Sequence, residues 1–590
     1  MIGLTALALL VELAGWAGPD GAFILWAFVA IVVASSAAGR DLRPAALRRS
    51  LLGSAPVETA PPPQTAPAIG ASIAVGWVSS ATLLGLGGAL FVSGLDGFAF
   101  LTGLLAGFVL LASAIAPALR ASGATSATAF LGRRYGSEVE TLAALVAAVA
   151  TLGLLGAQLS VAGIVLARFL HLPFGLGVAL GALMVAAAAA GPRPRSGGYV
   201  AAGLAGLAVA YLGPAIWIAL GEGHPPIPQA SYLFALDEIG RIEQGLAASD
   251  TPPPAPHLVF GGLFDPLSLL LAALAFALGV AAQPHLLRAS IAAPEAGAAR
   301  WGLVWGFGLI LALTLAAPAY AAYAKLSLHR LFEDGPASVL AAPDWLYRWS
   351  YLGESAVMAT ACDRPAFDEA ALASACGGAQ AVFGFDALRL DPDMAVLAAP
   401  EIVGAPLALT GLLGAGALAA ALASAERAVR ALGSSFAREI FVRRIRIGAS
   451  ITEERAAAAW AVPAILLGAG WWAMGRPADL LTQIAWAFSL SAGGLFPALI
   501  FGIWWRRAGT AAAAAAILLG TGATLFYQVG ATVGLDGLPG SGDEIDWFGV
   551  HHLAAGALGA AIGGAALVGV SLALPDRARS TTAPRAPGRR

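Results

Sequence analysis

The sequence predicts an all-α integral membrane protein with about thirteen transmembrane helices, and three observations predict it. Hydrophobic residues fill 58% of the 590 positions and charged ones only 12%, whereas a soluble domain carries roughly 25% charged residues to cover its surface. Apolar runs of roughly 20 residues recur along the chain, the length a helix needs to cross the hydrocarbon. Between these runs the arginines collect in alternate loops, as membrane insertion requires when it retains short basic loops in the cytoplasm. The formal net charge of −2 points to no nucleic-acid or acidic partner. No zinc-type cysteine spacing, Gly-rich phosphate loop or nucleophile elbow appears, so neither an enzyme nor a bound cofactor is expected.

In chain order the runs lie near 22–39, 69–94, 97–117, 138–168, 174–191, 198–220, 261–283, 301–323, 401–424, 455–474, 479–504, 508–529 and 551–574. The segment 2–17, with Glu12 as its single charged residue, is open to three readings: a signal-like sequence, an interfacial helix or a further span. Arg40, Arg43, Arg48 and Arg49, then Arg120, Arg133 and Arg134, then Arg193 and Arg195, then Arg288 and Arg300 fall in alternate loops. Arg438, Arg443, Arg444 and Arg446, then Arg506 and Arg507, and the tail from Arg577 to Arg590 continue the pattern. These ends are assigned to the cytoplasm, so the C-terminus lies inside. The long acidic loops 221–260, 324–400 and 530–550 are assigned outside as solvated connectors. Cys362 and Cys376, the two cysteines, both fall in one of them; a disulfide and two unpaired thiols are both open there.

One early run departs from an ordinary span. "GASIAVGWVSSATLLGLGGALFVSGLDG", Gly70 to Gly97, mixes repeated glycine with Ser72, Ser79, Ser80 and Thr82. Gly85, Gly87 and Gly88 fit close helix packing through small residues. A discontinuous helix is the other reading, its unwound middle exposing carbonyls near Val75 and Val78 beside the hydroxyls of Ser79 and Thr82. Gln158, the single amide of its span, faces the bundle interior as interhelix glue or as a pathway residue, since a buried amide needs a partner. "GVAAQPHLLRAS" sets His285 and Arg288 at a helix end, as a terminus with a snorkelling arginine or as a proton-handling histidine. No basic side chain falls in the middle of a predicted span.

Several phrases taken together resemble the sodium:solute symporter family, most closely its cation/acetate symporter branch. They are "ASIAVGWVSSATLLGLGGALFVSGLDG", "TAFLGRRYGS", "GAQLSVAGIVLARFL", "GVAAQPHLLRAS", "AAPEIVGAPLALTGLLGAGALAAALASAE", "GGLFPALIFGIWWRRAGTAAAAAAILLG" and "DWFGVHHLAAGALG". They stand in family order and cover roughly residues 65–575. The resemblance implies a leucine-transporter-type core of roughly ten helices in two inverted repeats of about five, with one extra N-terminal and about two extra C-terminal helices. On that basis the chain divides into four parts. Residues 1–66 form an N-terminal helix region and Pro-rich cytoplasmic linker, and 67–529 the symporter core with the first C-terminal accessory helix. Residues 530–575 supply an outer loop and the last helix, and 576–590 a basic cytoplasmic tail.

Carried over position by position, the family's sodium site falls on the carbonyls of Val75 and Val78, the carbonyl of Ala420 and the hydroxyl of Ser424. The family phrase resembling "LSTAD" reads "LASAE" here, Leu422 to Glu426. Ala423 replaces one hydroxyl ligand, Ser424 keeps the other, Glu426 is one methylene longer than the family acid, and Arg427 replaces a small residue. Gly76 stands where the family has a small acidic or polar residue. Losing one of about five neutral oxygens weakens sodium binding. Glu426 is then open to two roles: a charged or protonatable group for ion coupling, or a surface partner of Arg430 four residues on.

The resemblance implies a secondary active transporter, with sodium or a proton as coupling ion and acetate or another short monocarboxylate as solute. Trp77, Ser79, Ser80, Thr82 and Gln158 are the expected solute-binding residues, with helix N-termini facing the anion. The expected setting is the inner (plasma) membrane, the partners being a small solute and the bilayer. The alternative is a symporter-like protein that senses solute or supports a partner membrane protein without transport.

Overall fold

The computed structural model describes residues 65–190, 211–248, 256–291, 295–333, 335–533 and 549–574. The segment 2–17, the expected span 22–39, the linker up to residue 64, the start of the expected span 198–220 and the basic tail lie outside the described residues. Among the described residues, eight helices are long and apolar enough to cross a membrane. They are Ser80–Ala121, Ser137–Leu170, Ala296–Leu331, Leu407–Ile445, Ile451–Gly475, Leu480–Trp504, Thr510–Gly530 and His552–Ala573. Ala66–Trp77, Phe174–Ala189, Tyr211–Gly221 and Pro266–Ala281 are shorter apolar helices.

Two expected boundaries move. The run expected at 401–424 is part of a helix that continues to Ser435 and then winds as a π-helix over Phe436–Ile445. Glu426, Arg427 and Arg430 therefore sit within this helix, more than one turn before its end. The run expected at 301–323 likewise continues, after a short interruption at Leu315–Ala316, as the helix Ala317–Leu331. Lys325 and His329 thus leave the expected connector and lie buried. Apolarity marks the part of a helix that meets lipid; protein neighbours can carry the same helix on past it.

The long helix Ser137–Leu170 is the axis of the bundle. It starts behind Gly136, which stands at a φ of 110°, and at 34 residues it is about 51 Å long, well beyond the thickness of the hydrocarbon. Leu407–Ser435, Phe174–Ala190, Leu480–Gly494 and Ile451–Gly475 pack along it. Local capping sets several ends. Ser450 and Glu453 form a capping box before Ile451, and Asp479 accepts from Thr482 N before Leu480.

The described parts of the connectors carry structure of their own. Residues 221–260 include the helix Pro228–Ala248. Within 335–400 a three-stranded antiparallel sheet places Ala359–Ala361 between Arg364–Pro365 and Leu388–Leu390, and Ala337–Ser338 pairs with Val382–Phe383. Cys362 and Cys376 are joined in a disulfide with their Cα atoms 5.3 Å apart, which settles the two readings of those thiols.

This face, opposite the Arg-rich loops, is held by buried charges. Arg168 Nη2 meets Glu401 Oε1 at 2.7 Å, Trp349 Nε1 donates to the same oxygen at 3.1 Å, and Arg348 approaches Glu401 Oε2 at 3.6 Å. Arg476 bridges Asp391 and Asp393 at 2.7 Å each, and Asp393 also accepts from Leu480 N at 2.9 Å. Burial and the neighbouring Asp391 charge push the Asp393 carboxyl up, and the Arg476 charge opposes them. Asp96, fully buried, accepts from the backbone of Gly261, Leu263 and Phe264.

Candidate functional site

The run Gly70–Gly94 is not one rod. The helix Ala66–Trp77 stops, Val78 turns with a ψ of 78°, Ser79 is extended with a ψ of 154°, and a second helix runs from Ser80 to Ser93. The "WVSS" stretch breaks the helix because a serine hydroxyl can replace a backbone acceptor. Ser79 Oγ accepts from Thr82 N at 3.1 Å and lies 2.8 Å from Thr82 Oγ1, capping the second half-helix. Ser79 N turns back to Trp77 O at 2.9 Å, so Val75 O loses the donor that an unbroken helix would give it.

Each half-helix is clamped by close packing. A Cβ on Gly70 would stand 2.7 Å from Gly306 N and 2.8 Å from Gly302 O, and one on Gly85 would stand 2.7 Å from Leu481 N. Gly87 abuts Val396 and Gly88 abuts Pro392 O in the same way. Packing through small residues and interruption of the helix both hold: the glycines let neighbours grip each half, and the grip keeps the gap in place. Ser80 Oγ adds a hydrogen bond to Ala417 O at 2.6 Å, tying the second half to Leu407–Ser435.

A cavity of about 690 Å³ opens beside the break. Trp77, Ser79, Thr82, Gln158 and Phe488 line it alongside Ser424, Glu426, Arg427, Arg430 and Arg455. Arg455 is exposed at the end nearer the Arg-rich loops, so the cavity reaches the surface there. Four of the five expected solute residues thus share one wall; Ser80 is turned away toward Ala417. Trp77 and Gln158 are each about 95% buried, yet Trp77 Nε1 and Gln158 Oε1 have no hydrogen-bond partner among the described residues. Buried polar atoms are rarely left so unless water or a ligand meets them. Here one donor and one acceptor line a single chamber.

Of the expected ion ligands, the structure brings Ser424 and Val75 together. Ser424 Oγ is 3.5 Å from Val75 O, across the gap between the two chains. Val78 is fully buried within the break and Ala420 is buried on the facing helix. Ser424 Oγ and Val75 O are neutral oxygens, and the Glu426 carboxylate lines the same cavity.

The charged residues rearrange the sequence picture. Glu426 is paired with Arg430 one turn on, with 14% and 28% of their side chains exposed. Arg427 does not point to a loop: its Nη1 donates to Ser72 O at 3.1 Å and lies 3.7 Å from where a Cβ on Gly76 would stand. A guanidinium therefore does enter the bundle, correcting the expectation that no basic group lies within it. The sequence clue was the pair of departures at Gly76 and Arg427, which fold into contact. His285, Ser72, Thr151 and Leu154 also line the cavity. Thr151 and Leu154 stand three or four positions from Gln158 or each other, on the helix face that it shares.

With this geometry in hand, comparison with known proteins gives a consistent result. The model of the sodium:solute symporter family matches residues 64–201, which include the broken helix and Gln158. This chain resembles the sodium:solute symporters. A curated relative from Cupriavidus necator, described as an uncharacterized symporter, is 26% identical over 610 aligned positions, covering 86% of each chain. In fold, the symporter-like chain is similar to a Na+-coupled sialic acid symporter solved in a substrate-bound outward-open state. The TM-score is 0.59 at 14% identity, over 95% of this chain and 99% of that one. In the present chain the cavity beside the break reaches toward the Arg-rich end, and at the other end Arg348 and Glu401 line a second cavity of about 650 Å³.

Proposed function

We propose that this chain is a secondary active transporter of the plasma membrane that moves a small solute by cation-coupled symport and alternating access, with its C-terminus in the cytoplasm. The observation that carries the reading is the broken helix beside a chamber with an unpaired indole N–H and amide oxygen, Trp77 Nε1 and Gln158 Oε1. A short monocarboxylate such as acetate fits the chamber's chemistry. The N-terminus of Ser80–Ser93 presents free backbone N–H groups and the positive end of the helix dipole, and Trp77 adds a further donor. Sodium is the proposed coupling ion, held by Val75 O, Val78 O, Ala420 O and Ser424 Oγ. Glu426, positioned by Arg430, is the proposed group for proton coupling. Two inverted repeats of about five helices, with the break in the first helix of the first repeat, are the proposed frame.

Uptake of labelled acetate into proteoliposomes with an imposed sodium or proton gradient tests the reading. Accumulation under an inward cation gradient is expected, and other short carboxylates should compete. Absence of gradient-dependent accumulation of any small carboxylate contradicts it. Ala423→Ser, which returns a hydroxyl to the ion site, should raise the sodium dependence of uptake.

A further inference from the structure

We propose that Arg427 is a resident cation beside the broken helix, a fixed positive charge on Ser72 O, one turn before the expected sodium oxygens of Ala66–Trp77, that weakens sodium binding there. This rests on the symport reading for its role in transport, but the site itself is defined by geometry. The C-terminal end of a helix carries a partial negative charge from carbonyls without N–H partners, and a cation placed there is stabilised. In this helix Val75 O has lost its normal donor, because Ser79 N is directed to Trp77 O. Arg427 Nη1 sits on Ser72 O at 3.1 Å, one turn before Val75 along the same helix.

Gly76 has no side chain to stand between the guanidinium and the helix. Ser424, whose hydroxyl faces Val75 O at 3.5 Å, precedes Arg427 by three positions on one helix, so both reach the same carbonyl row. A sodium ion among these neutral oxygens therefore meets a like charge about one helical turn away. Such repulsion, little screened in a partly buried cavity, changes an equilibrium by on the order of tenfold. Glu426 counters it in part: its carboxylate lines the same cavity and is shared with Arg430. Arg427 also lies on the way from the Val75–Ser424 pair to the opening at Arg455, so an ion released to that side passes the guanidinium.

The test is equilibrium binding of radioactive sodium to the purified full-length protein, with choline replacing sodium at constant ionic strength. Arg427→Gln removes the charge and keeps hydrogen-bonding capacity; it should lower the half-saturating sodium concentration about tenfold. Arg427→Lys keeps the charge and should bind sodium within about twofold of the wild type. Glu426→Gln, which should fold independently of the first two, makes the cavity more positive and should raise the half-saturating concentration severalfold. Equal shifts in the Gln and Lys variants overturn the proposal, because shape and not charge would then be the cause. Sodium binding unchanged by Arg427→Gln, or tightened by Glu426→Gln, also overturns it. Gradient-driven uptake alongside unchanged sodium binding sinks this inference and leaves symport standing. A protein that binds sodium as expected but accumulates no solute sinks symport and leaves Arg427 its role.

Discussion

The two ends of the bundle treat charge in opposite ways. At the end bearing the disulfide loop, Arg168 and Glu401 have side-chain exposures of 1% and 4%, Glu401 accepts from both the Arg168 guanidinium and the Trp349 indole, and the Arg168 guanidinium lies over the Phe169 and Trp349 rings at 5.2 Å. At the Arg-rich end Glu426 and Arg430 line a cavity that reaches the surface, in an ion pair within one helix. The first arrangement is the more deeply buried and ties two distant segments together, with Glu401 also reaching a cavity on its own side; the second is more exposed and local to one helix. A deeply buried ion pair resists separation because either partner alone is costly in the interior, whereas an exposed one exchanges readily with water and ions. Breaking the deeper pair should therefore cost more stability than breaking the more exposed one.

Thermal unfolding of the detergent-solubilised protein should expose that contrast. Arg168→Ala strands the Glu401 carboxylate and is expected to cost about 3–5 kcal/mol, the largest effect considered. The double change Arg168→Met with Glu401→Leu should recover much of this loss; if it is as damaging as the single change, the lock is a packing device and not an ion pair. A smaller effect is expected from pH. Burial first, then the charges of Lys325 and His329, push the His257 imidazole down to about 3 from an ordinary 6.5, and the ring stays neutral in the fold. The unfolded chain takes up that proton first, so stability is full above about pH 6.5 and declines as pH falls through 6.5 toward 3. On the order of 2 kcal/mol should be lost between pH 7 and pH 5, and His257→Gln should flatten that slope. A slope unchanged by His257→Gln would assign acid sensitivity to other groups facing it, Glu243 and His329 among them. Smallest of all, Arg430→Ala should change stability by less than about 1 kcal/mol, since its pair with Glu426 is partly solvated. A loss comparable to that of Arg168→Ala would erase the distinction between the two ends.

How much of this was legible in the sequence differs between the bundle and its charges. The helical membrane architecture follows from composition and run length, because each span carries its own apolar signal. The interruption at Val78–Ser79 follows too, since "WVSS" brings a capping hydroxyl into a span rich in glycine and serine. Phrases in family order bring Trp77, Ser79, Thr82 and Gln158 to one cavity, but Ser80 turns to Ala417 because its position on the second half-helix faces Leu407–Ser435. The charged residues were less readable. Arg427 and Arg430 read equally as cavity or helix-end residues because apolarity fades after Ser424, although the helix runs on to Ser435 against its neighbours. Arg168 with Glu401, and Glu243 with His329, are pairs separated by 233 and 86 positions, and no local pattern joins residues so far apart. The disulfide was left undecided for the same reason: spacing alone does not bring Cys362 within 5.3 Å of Cys376, whereas the small sheet around Ala359–Ala361 does.

The most direct measurement of the central claim compares labelled acetate accumulation by wild type, Trp77→Phe and Gln158→Leu in the same gradient-loaded proteoliposomes. Gln158→Leu nearly keeps the side-chain volume and Trp77→Phe keeps an aromatic ring, and each removes one polar contact. Accumulation by the wild type, falling about tenfold in each variant through weaker apparent affinity, is the predicted result. Variants that accumulate acetate as well as the wild type would contradict it, showing that solute passes elsewhere than the break.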